Sequence, residues 1–208
     1  MKKIIYLYIL ESMAEWEVGY ILQAISMESM LKKQNREFVI KTVSASKNPI
    51  QTIGGLIITP DCLLDEIDEN NMVALLLPGA ESWNSEENNQ ILQKALSYID
   101  KGILVGAICG ATLALADLKV LDKFKHTSNS LDYLTLFSKQ YSGKELYVNS
   151  PAVIDCNLIT ASSAGGLLWA KHIIQYLNVF PCEIIESWYN YYSTGDPKHL
   201  TELISQSI

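Results

Sequence analysis

The sequence predicts an α/β protein in which a mostly parallel sheet is sandwiched by helices, with a helical C-terminal extension. Short apolar runs alternate with amphipathic stretches of helical period, the pattern of a parallel sheet covered on both faces. The 208 residues are 49% hydrophobic and 19% charged, a globular composition that can bury a sizeable core. No linker or internal repeat interrupts them, so we expect one domain over residues 1–208, with residues 181–208 as a helical tail packed on it.

Strands and helices are assigned from the period of the apolar residues. Branched apolar runs predict strands at residues 4–10, 38–43, 56–59, 72–77, 103–108, 124–127 and 158–161. Apolar residues at helical spacing predict helices at residues 18–25, 91–99, 111–116 and 167–177. In the tail, Gly195 is expected to end one helix, and Asp196-Pro197 to begin the next as its N-cap and first residue.

Charge and hydropathy exclude several classes of protein. The formal net charge of −7 argues against binding to nucleic acid or to anionic membrane surfaces, since both need clustered Lys and Arg. The apolar start of the chain lacks a small-residue cleavage site and is followed by acidic residues, so we interpret it as a buried strand and not a secretory signal. The longest weakly polar run, residues 102–116, is shorter than the roughly 20 residues that span a membrane. We therefore expect a cytoplasmic protein with no membrane segment.

The cysteines are too scattered to indicate a zinc site or a disulfide framework. The four of them, at positions 62, 109, 156 and 182, form no CxxC pair. The sequence also contains no phosphate-binding glycine loop and no His, Asp and Glu cluster at metal-ligand spacing. We expect neither a metal nor a cofactor.

One cysteine lies in a segment typical of a nucleophile. Ala107-Ile108-Cys109-Gly110-Ala111 has the form small–x–nucleophile–x–small at a predicted strand-to-helix junction, where a sharp turn leaves room only for small neighbours. Such a junction puts the sulfur at the carboxyl edge of the sheet and at a helix N-terminus, so we expect the pKa of the Cys109 thiol to be lowered. The alternative is a small buried cysteine in a core turn.

Two segments together resemble a known family. Residues 76–80 (LLPGA), followed some thirty residues later by residues 107–111 (AICGA), resemble the ThiJ/PfpI family of the class I glutamine amidotransferase-like superfamily. Residues 14–17 (AEWE) and 159–162 (ITAS) match as well, so that the resemblance covers residues 2–177. It implies a flavodoxin-like sheet and a homodimer, to which the aromatic tail is a candidate contributor.

The resemblance also implies roles for individual residues. Glu17 corresponds to a carboxyl that meets the nucleophile's sulfur and shares its proton, although it could be an ordinary acid at the start of a helix. Ala80 and Gly110 correspond to the positions whose backbone N–H groups form an oxyanion hole, with Gly79 allowing the turn. His126 lies near the active-site histidine of many relatives and is our candidate base, although it could be a polar residue at a strand end.

The other two histidines are weaker candidates for the base. His172 is predicted on the solvent side of its helix, and His199 on the surface of the tail.

One departure from the family bears on activity. Relatives classed as intracellular proteases carry histidine directly after the nucleophile, where this chain has Gly110. We therefore expect poor proteolysis and predict a cysteine-dependent hydrolase-like enzyme acting on a small carbonyl, amide or aldehyde substrate. Deglycase and glyoxalase chemistry would fit the same residues. The alternatives are a redox- or electrophile-sensing stress protein without turnover and a non-catalytic interaction protein.

Overall fold

A seven-stranded sheet lies at the centre of the molecule, in a computed structural model that describes residues 2–32 and 37–205. The strands are β1 (Lys3–Tyr8), β2 (Phe38–Ser44), β3 (Ile50–Gln51), β4 (Ile57–Ile58), β5 (Cys62–Leu63), β6 (Met72–Leu77), β7 (Leu104–Ile108), β8 (Ala152–Asp155) and β9 (Leu158–Ala161). The central sheet has the order β5-β2-β1-β6-β7-β9-β8, while β3 and β4 form a separate antiparallel pair. Every neighbouring pair in the central sheet is parallel except β8 with β9. The predicted fold class, a mostly parallel sheet flanked by helices, is confirmed.

Helices follow the strands along the chain. They are α1 (Gly19–Ser26), α2 (Glu28–Lys32), α3 (Asn89–Asp100), α4 (Gly110–Asp117), α5 (Leu131–Phe137), α6 (Gly166–Tyr176), α7 (Cys182–Thr194) and α8 (Pro197–Ser205). A 3₁₀ turn, Glu15–Val18, leads into α1. No helix in the described ranges combines the length and the apolar run that crossing a membrane requires.

A close approach between β7 and α6 organises the core next to the site. Gly106 on β7 has no side chain, and a Cβ there would lie 2.9 Å from Trp169 Cζ2 on α6. Trp169 is fully buried, and its indole N–H donates to the carbonyl of Ile159 on β9 at 3.3 Å. The glycine thus makes room for a large side chain that fastens α6 across two neighbouring strands.

The helical tail packs on the rest of the chain through Trp188. This side chain is 2% exposed, and its indole N–H donates to Gln23 Oε1 on α1 at 2.7 Å. The ring of Tyr20 meets it edge-on, with the centroids 6.5 Å apart. Gly195, at φ 72°, ends α7, and α8 begins at Pro197, as predicted.

Two predicted strands are placed differently. Residues 124–127 form no strand; only His126 makes an isolated bridge, to Tyr147. The place beside β9 is taken by β8, which the sequence reasoning missed. β8 connects to β9 through a tight turn in which Cys156 has φ 53°. Pairing β9 with β8 therefore closes a far shorter loop than pairing it with residues 124–127 would, and a shorter loop costs less entropy to close. The run at 56–59 contributes β4 of the separate pair and not a strand of the central sheet.

We predict that Trp188→Ala lowers the free energy of unfolding by about 3–5 kcal/mol, because truncation empties a buried site between the tail and α1 and leaves Gln23 without its donor. Denaturant titration followed by circular dichroism measures it. Tyr176→Ala is the control, because Tyr176 is 38% exposed and its loss should cost well under 1 kcal/mol. Equal losses in the two variants would contradict this role of Trp188.

Candidate functional site

Cys109 occupies a strained turn between β7 and α4. Its backbone angles are φ 56° and ψ −122°, a conformation that costs free energy for any residue with a side chain. The turn is held on both sides: the amide of Cys109 donates to the Ala161 carbonyl at 2.9 Å, and its carbonyl accepts from the amide of Thr112 at 3.0 Å and from the hydroxyl of Thr112 at 2.6 Å. A strained cysteine at a strand-to-helix junction is the geometry that the sequence motif predicts.

The small residues around the sulfur are required by the approach of three chain segments. A Cβ on Gly79 would lie 2.8 Å from Cys109 Cβ and 2.5 Å from Glu17 Oε2, and one on Gly110 would lie 2.7 Å from the Ala80 carbonyl oxygen. Behind the turn, two small side chains are completely buried, those of Ala107 and Ala111. The structure therefore brings the loop before α1, the turn after β6 and the start of α4 into direct contact.

Glu17 is a carboxyl buried beside Cys109. It is 1% exposed, its Oε2 accepts from the Gly79 amide at 2.7 Å, and its Oε1 has no partner in hydrogen-bond geometry among the described residues. Burial raises the pKa of Glu17, while the Gly79 amide and the nearby side chains of Ser163 and Cys109 act in the opposite direction. Burial thus favours the protonated acid.

Opposing effects also act on the pKa of the half-buried Cys109 thiol. Burial raises its pKa, the amide of Asn129 lowers it, the negative charge of Glu17 raises it further, and the backbone N–H of Gly110 lowers it. The predicted lowering of this pKa by the helix N-terminus is therefore wrong in direction, because desolvation is the larger effect. The negative charge of Glu17 disfavours the thiolate, so sulfur and carboxyl form a coupled pair in which the sulfur loses its proton more readily while the carboxyl holds one.

Asn129 is a site residue that the sequence reasoning missed. Its Nδ2 donates to Cys109 Sγ at 3.3 Å, and its Oδ1 accepts from the backbone N–H of Ser163 at 2.8 Å. The second contact orients the amide, because only the oxygen can accept, and so turns the NH₂ group toward the sulfur. Asn129 lies in the polar turn at residues 127–130, a signal that could have pointed to it.

His126 lies outside this arrangement. The ring is fully buried; Nδ1 contacts the Phe124 carbonyl at 2.7 Å and Nε2 the Tyr141 hydroxyl at 2.8 Å. Because a carbonyl only accepts, Nδ1 carries the proton and Nε2 accepts from Tyr141. Both nitrogens are engaged away from the sulfur, and burial lowers the pKa of the ring, so that the predicted base is a neutral support for the turn that carries Asn129.

The remaining histidines do not replace it. His172, which the sequence predicts on the solvent side of its helix, is half-buried in the structure, and burial lowers its pKa. His199 contacts Glu202 in the tail at 2.8 Å. All three histidines belong to the described residues, and none of them hydrogen-bonds the sulfur of Cys109.

A cleft of about 590 Å³ opens onto Cys109. Glu17, Gly79, Ala80 and Gly110 line it beside the sulfur. The amides of Ala80 and Gly110 donate to no backbone acceptor in the described chain, so they can receive the oxygen of a bound carbonyl. Within the described ranges no group of three or more His, Cys, Asp or Glu side chains is placed to hold a metal ion.

Comparison with known proteins shows the family of this chain. The model of the DJ-1/PfpI family matches residues 2–175. The chain belongs to the DJ-1/PfpI family. A Bacillus subtilis member, named uncharacterized protease YoaZ, is 36% identical over 201 residues, which cover 97% of this chain and 96% of that protein. A second protein of that organism, named uncharacterized protease YdeA, is 32% identical over 187 residues, covering 89% of this chain and 88% of that protein.

Solved structures extend the match to the whole fold. The crystal structure of a ThiJ/PfpI family protein from Bacillus anthracis superposes with a TM-score of 0.93 at 37% identity, covering 100% of this chain and 98% of the other. A DJ-1 superfamily protein from Agrobacterium tumefaciens gives a TM-score of 0.77 at 25% identity, covering 93% of this chain and all of the other. The resemblance inferred from the two sequence segments is confirmed.

We predict that Asn129→Ala shifts the alkylation of Cys109 by iodoacetamide to higher pH. The variant loses a donor that favours the thiolate, a contact worth about 1.5–3 kcal/mol, so the labelling rate near neutral pH should fall about 10-fold or more. Mass spectrometry of the labelled cysteine across a pH series measures it. Asn149→Ala is the control, because Asn149 is an exposed asparagine later in the sequence than the turn at residues 127–130. An unchanged profile in Asn129→Ala would show that the amide does not act on the sulfur.

We further predict an acid-side loss of stability from His126. The pKa of the ring is lowered below 6.5 in the folded protein, so as pH falls the unfolded chain takes up a proton that the folded chain does not. The contribution of His126 is therefore present above about pH 6.5 and lost below it. The difference in unfolding free energy between the wild type and His126→Gln should shrink from about pH 7.5 to about pH 5. A constant difference would mean that folding does not shift the pKa of the ring.

Proposed function

We propose that this protein is a cysteine-dependent enzyme that acts on small carbonyl compounds, aldehydes or activated esters, through Cys109. The observation that carries the proposal is the convergence of three groups in one cleft: the Cys109 sulfur, the buried Glu17 carboxyl, and the two backbone N–H groups of Ala80 and Gly110. They correspond to a nucleophile, a proton carrier and an oxyanion hole.

The coupled pair supplies the proton transfers. In the reactive form Glu17 holds the proton and Cys109 is the thiolate, which the Asn129 amide stabilises. The sulfur adds to the carbonyl carbon, and the carbonyl electron pair moves onto the oxygen between the two N–H groups. With an aldehyde, Glu17 returns the proton to that oxygen and a hemithioacetal forms. With a 2-oxoaldehyde such as methylglyoxal, the Glu17 carboxylate then moves the carbon-bound proton to the neighbouring carbonyl, which gives the thioester of a 2-hydroxy acid, and water hydrolyses that thioester to the acid and the free thiol. With an activated ester, the C–O bond breaks instead, and water then hydrolyses the thioester.

The same geometry argues against efficient peptide cleavage. An amine leaving group must be protonated as it departs, and general acid catalysis of that kind is worth roughly 100- to 10,000-fold. No histidine serves this step, because Gly110 follows the nucleophile and His126 is engaged elsewhere. The proton would have to come from Glu17, whose carboxyl is 1% exposed and bonded to the Gly79 amide. Aldehydes and activated esters make no such demand, so a thiolate with an oxyanion hole can suffice for them.

The sensing alternative is less well supported. Oxidation by peroxide proceeds through the thiolate, and its rate follows thiolate content and exposure. The sulfur is half-buried, and burial raises the pKa of the thiol. These properties favour a thiol that passes its proton to Glu17 during turnover over one that stands ionised in the resting protein.

We predict that the purified protein turns over methylglyoxal or p-nitrophenyl acetate, and that Cys109→Ser lowers kcat/KM at least about 1,000-fold because the nucleophile is lost. Cys182→Ser is the matched control, since Cys182 is an exposed cysteine in α7, and it should leave turnover intact. Casein cleavage should be far slower than ester or aldehyde turnover. Rapid casein digestion that disappears in Cys109→Ser would refute the preference for small carbonyls, and turnover retained in Cys109→Ser would refute the proposed nucleophile.

A further inference from the structure

The charged residues around the cleft all carry the same sign. Apart from the buried Glu17, the lining includes two exposed carboxylates, Glu81 and Asp117, and none of the described residues that line it is Lys, Arg or His. Neither carboxylate forms a salt bridge or a side-chain hydrogen bond within the described part of the chain. A cleft whose walls carry one sign of charge concentrates ligands of the opposite sign.

Helix α4 gives the cleft a direction. One face of this helix lines the cleft, and Leu118 follows just after the helix ends. The lining residues of that face recur at helical spacing and are Gly110, Leu113, Ala114 and Asp117. Cys109 precedes its first residue, and Asp117 is its last. At a rise of about 1.5 Å per residue, Asp117 lies about 12 Å from the reacting end. Its carboxylate adds to the negative end of the helix dipole, so the far end of the cleft attracts a cation.

The lining of the cleft also includes apolar and aromatic side chains. Leu92, Leu113 and Ala114 contribute aliphatic surface. Trp16 also lines the cleft and is 53% exposed, which leaves a large indole face open to a ligand. Aliphatic surface suits a hydrocarbon chain, and an exposed indole attracts an ammonium group through its π face.

From these observations we propose that the cleft selects carbonyl substrates in which an apolar chain joins the reacting carbon to an ammonium group. The carbonyl lies at Cys109, the chain follows the face of α4, and the ammonium group meets Asp117. Substrates with a carboxylate or phosphate at the far end are disfavoured by Asp117 and Glu81. This inference rests on the proposed function, because it names the class of substrate for the same nucleophile.

The test compares p-nitrophenyl esters of matched chain length: the 6-aminohexanoate, the hexanoate and the adipate monoester. At low salt kcat/KM should rank cationic above neutral above anionic, each step being about three- to ten-fold, and the spread should narrow as salt is added. In Asp117→Asn the cationic-to-neutral ratio should fall toward one. Asp100→Asn is the matched control, because Asp100 is the exposed last residue of α3 and does not line the cleft; the ratio should persist.

A second measurement does not depend on turnover. Methanethiosulfonates with ammonium, uncharged or sulfonate ends convert the Cys109 thiolate to a mixed disulfide and release methanesulfinate. The rate of each reagent, divided by its rate with free cysteine, should again rank cationic above neutral above anionic. Asp117→Asn should reduce the differences between these rates. Cysteine-dependent turnover with equal kcat/KM for the three esters would overturn the charge selection and leave the proposed function standing. Absence of turnover with the reagent ranking intact would refute the proposed function alone, and an absent reagent ranking would overturn the inference by itself.

Discussion

The burial of the Glu17 carboxyl against Gly79 and Cys109 is the constraint on which the rest of the site depends. An acid taken out of water needs hydrogen bonds, and Gly79 supplies one through its backbone N–H at 2.7 Å. The amide can come this close only because residue 79 has no Cβ, which would lie within 3 Å of both the carboxyl and the cysteine. The 3₁₀ turn before α1, the turn after β6 and the start of α4 are consequently packed as one unit, and a change in any of them would alter the surroundings of both the carboxyl and the sulfur.

Asn129 shows how a thiolate can be stabilised without a neighbouring cation. An amide carries no charge, so its effect on the sulfur depends on orientation, and Ser163 fixes that orientation from the far side of the cleft. The buried ring of His126 helps to position the turn that carries Asn129, because its two hydrogen bonds hold the segment just before that turn. The hydroxyls of Ser128 and Thr112, 2.6 Å apart, join the same turn to α4. A histidine can therefore matter to the site through the backbone that it positions, with no proton transfer of its own.

Sequence reasoning reached the sheet and the cysteine turn because each leaves a local signature, whereas the role of Gly79 came from the family resemblance. Alternating apolar periods mark buried strands, and small residues at fixed spacing mark a turn in which chains approach closely. The contact of Asn129 with the sulfur joins residues twenty positions apart through a loop without periodic structure, and no spacing rule predicts it. The direction of the Cys109 pKa was misjudged for a related reason: a helix N-terminus is visible in a sequence, whereas the depth at which the sulfur is buried is a property of the assembled fold. The strand predicted at residues 124–127 is wrong because four residues are too few to distinguish a strand from an extended segment.

The two ends of the central sheet are both short. β5 has two residues and β8 has four, and β8 runs against the direction of its neighbour. On the β8 side, such an edge offers few consecutive unpaired backbone groups to another strand, which is how natural sheets resist joining edge to edge into aggregates. On the β5 side, the edge strand pairs only with Val43 and Ser44, so the earlier residues of β2 have no strand beside them on that side in the described part of the chain. The sheet is therefore protected at one end and open at the other.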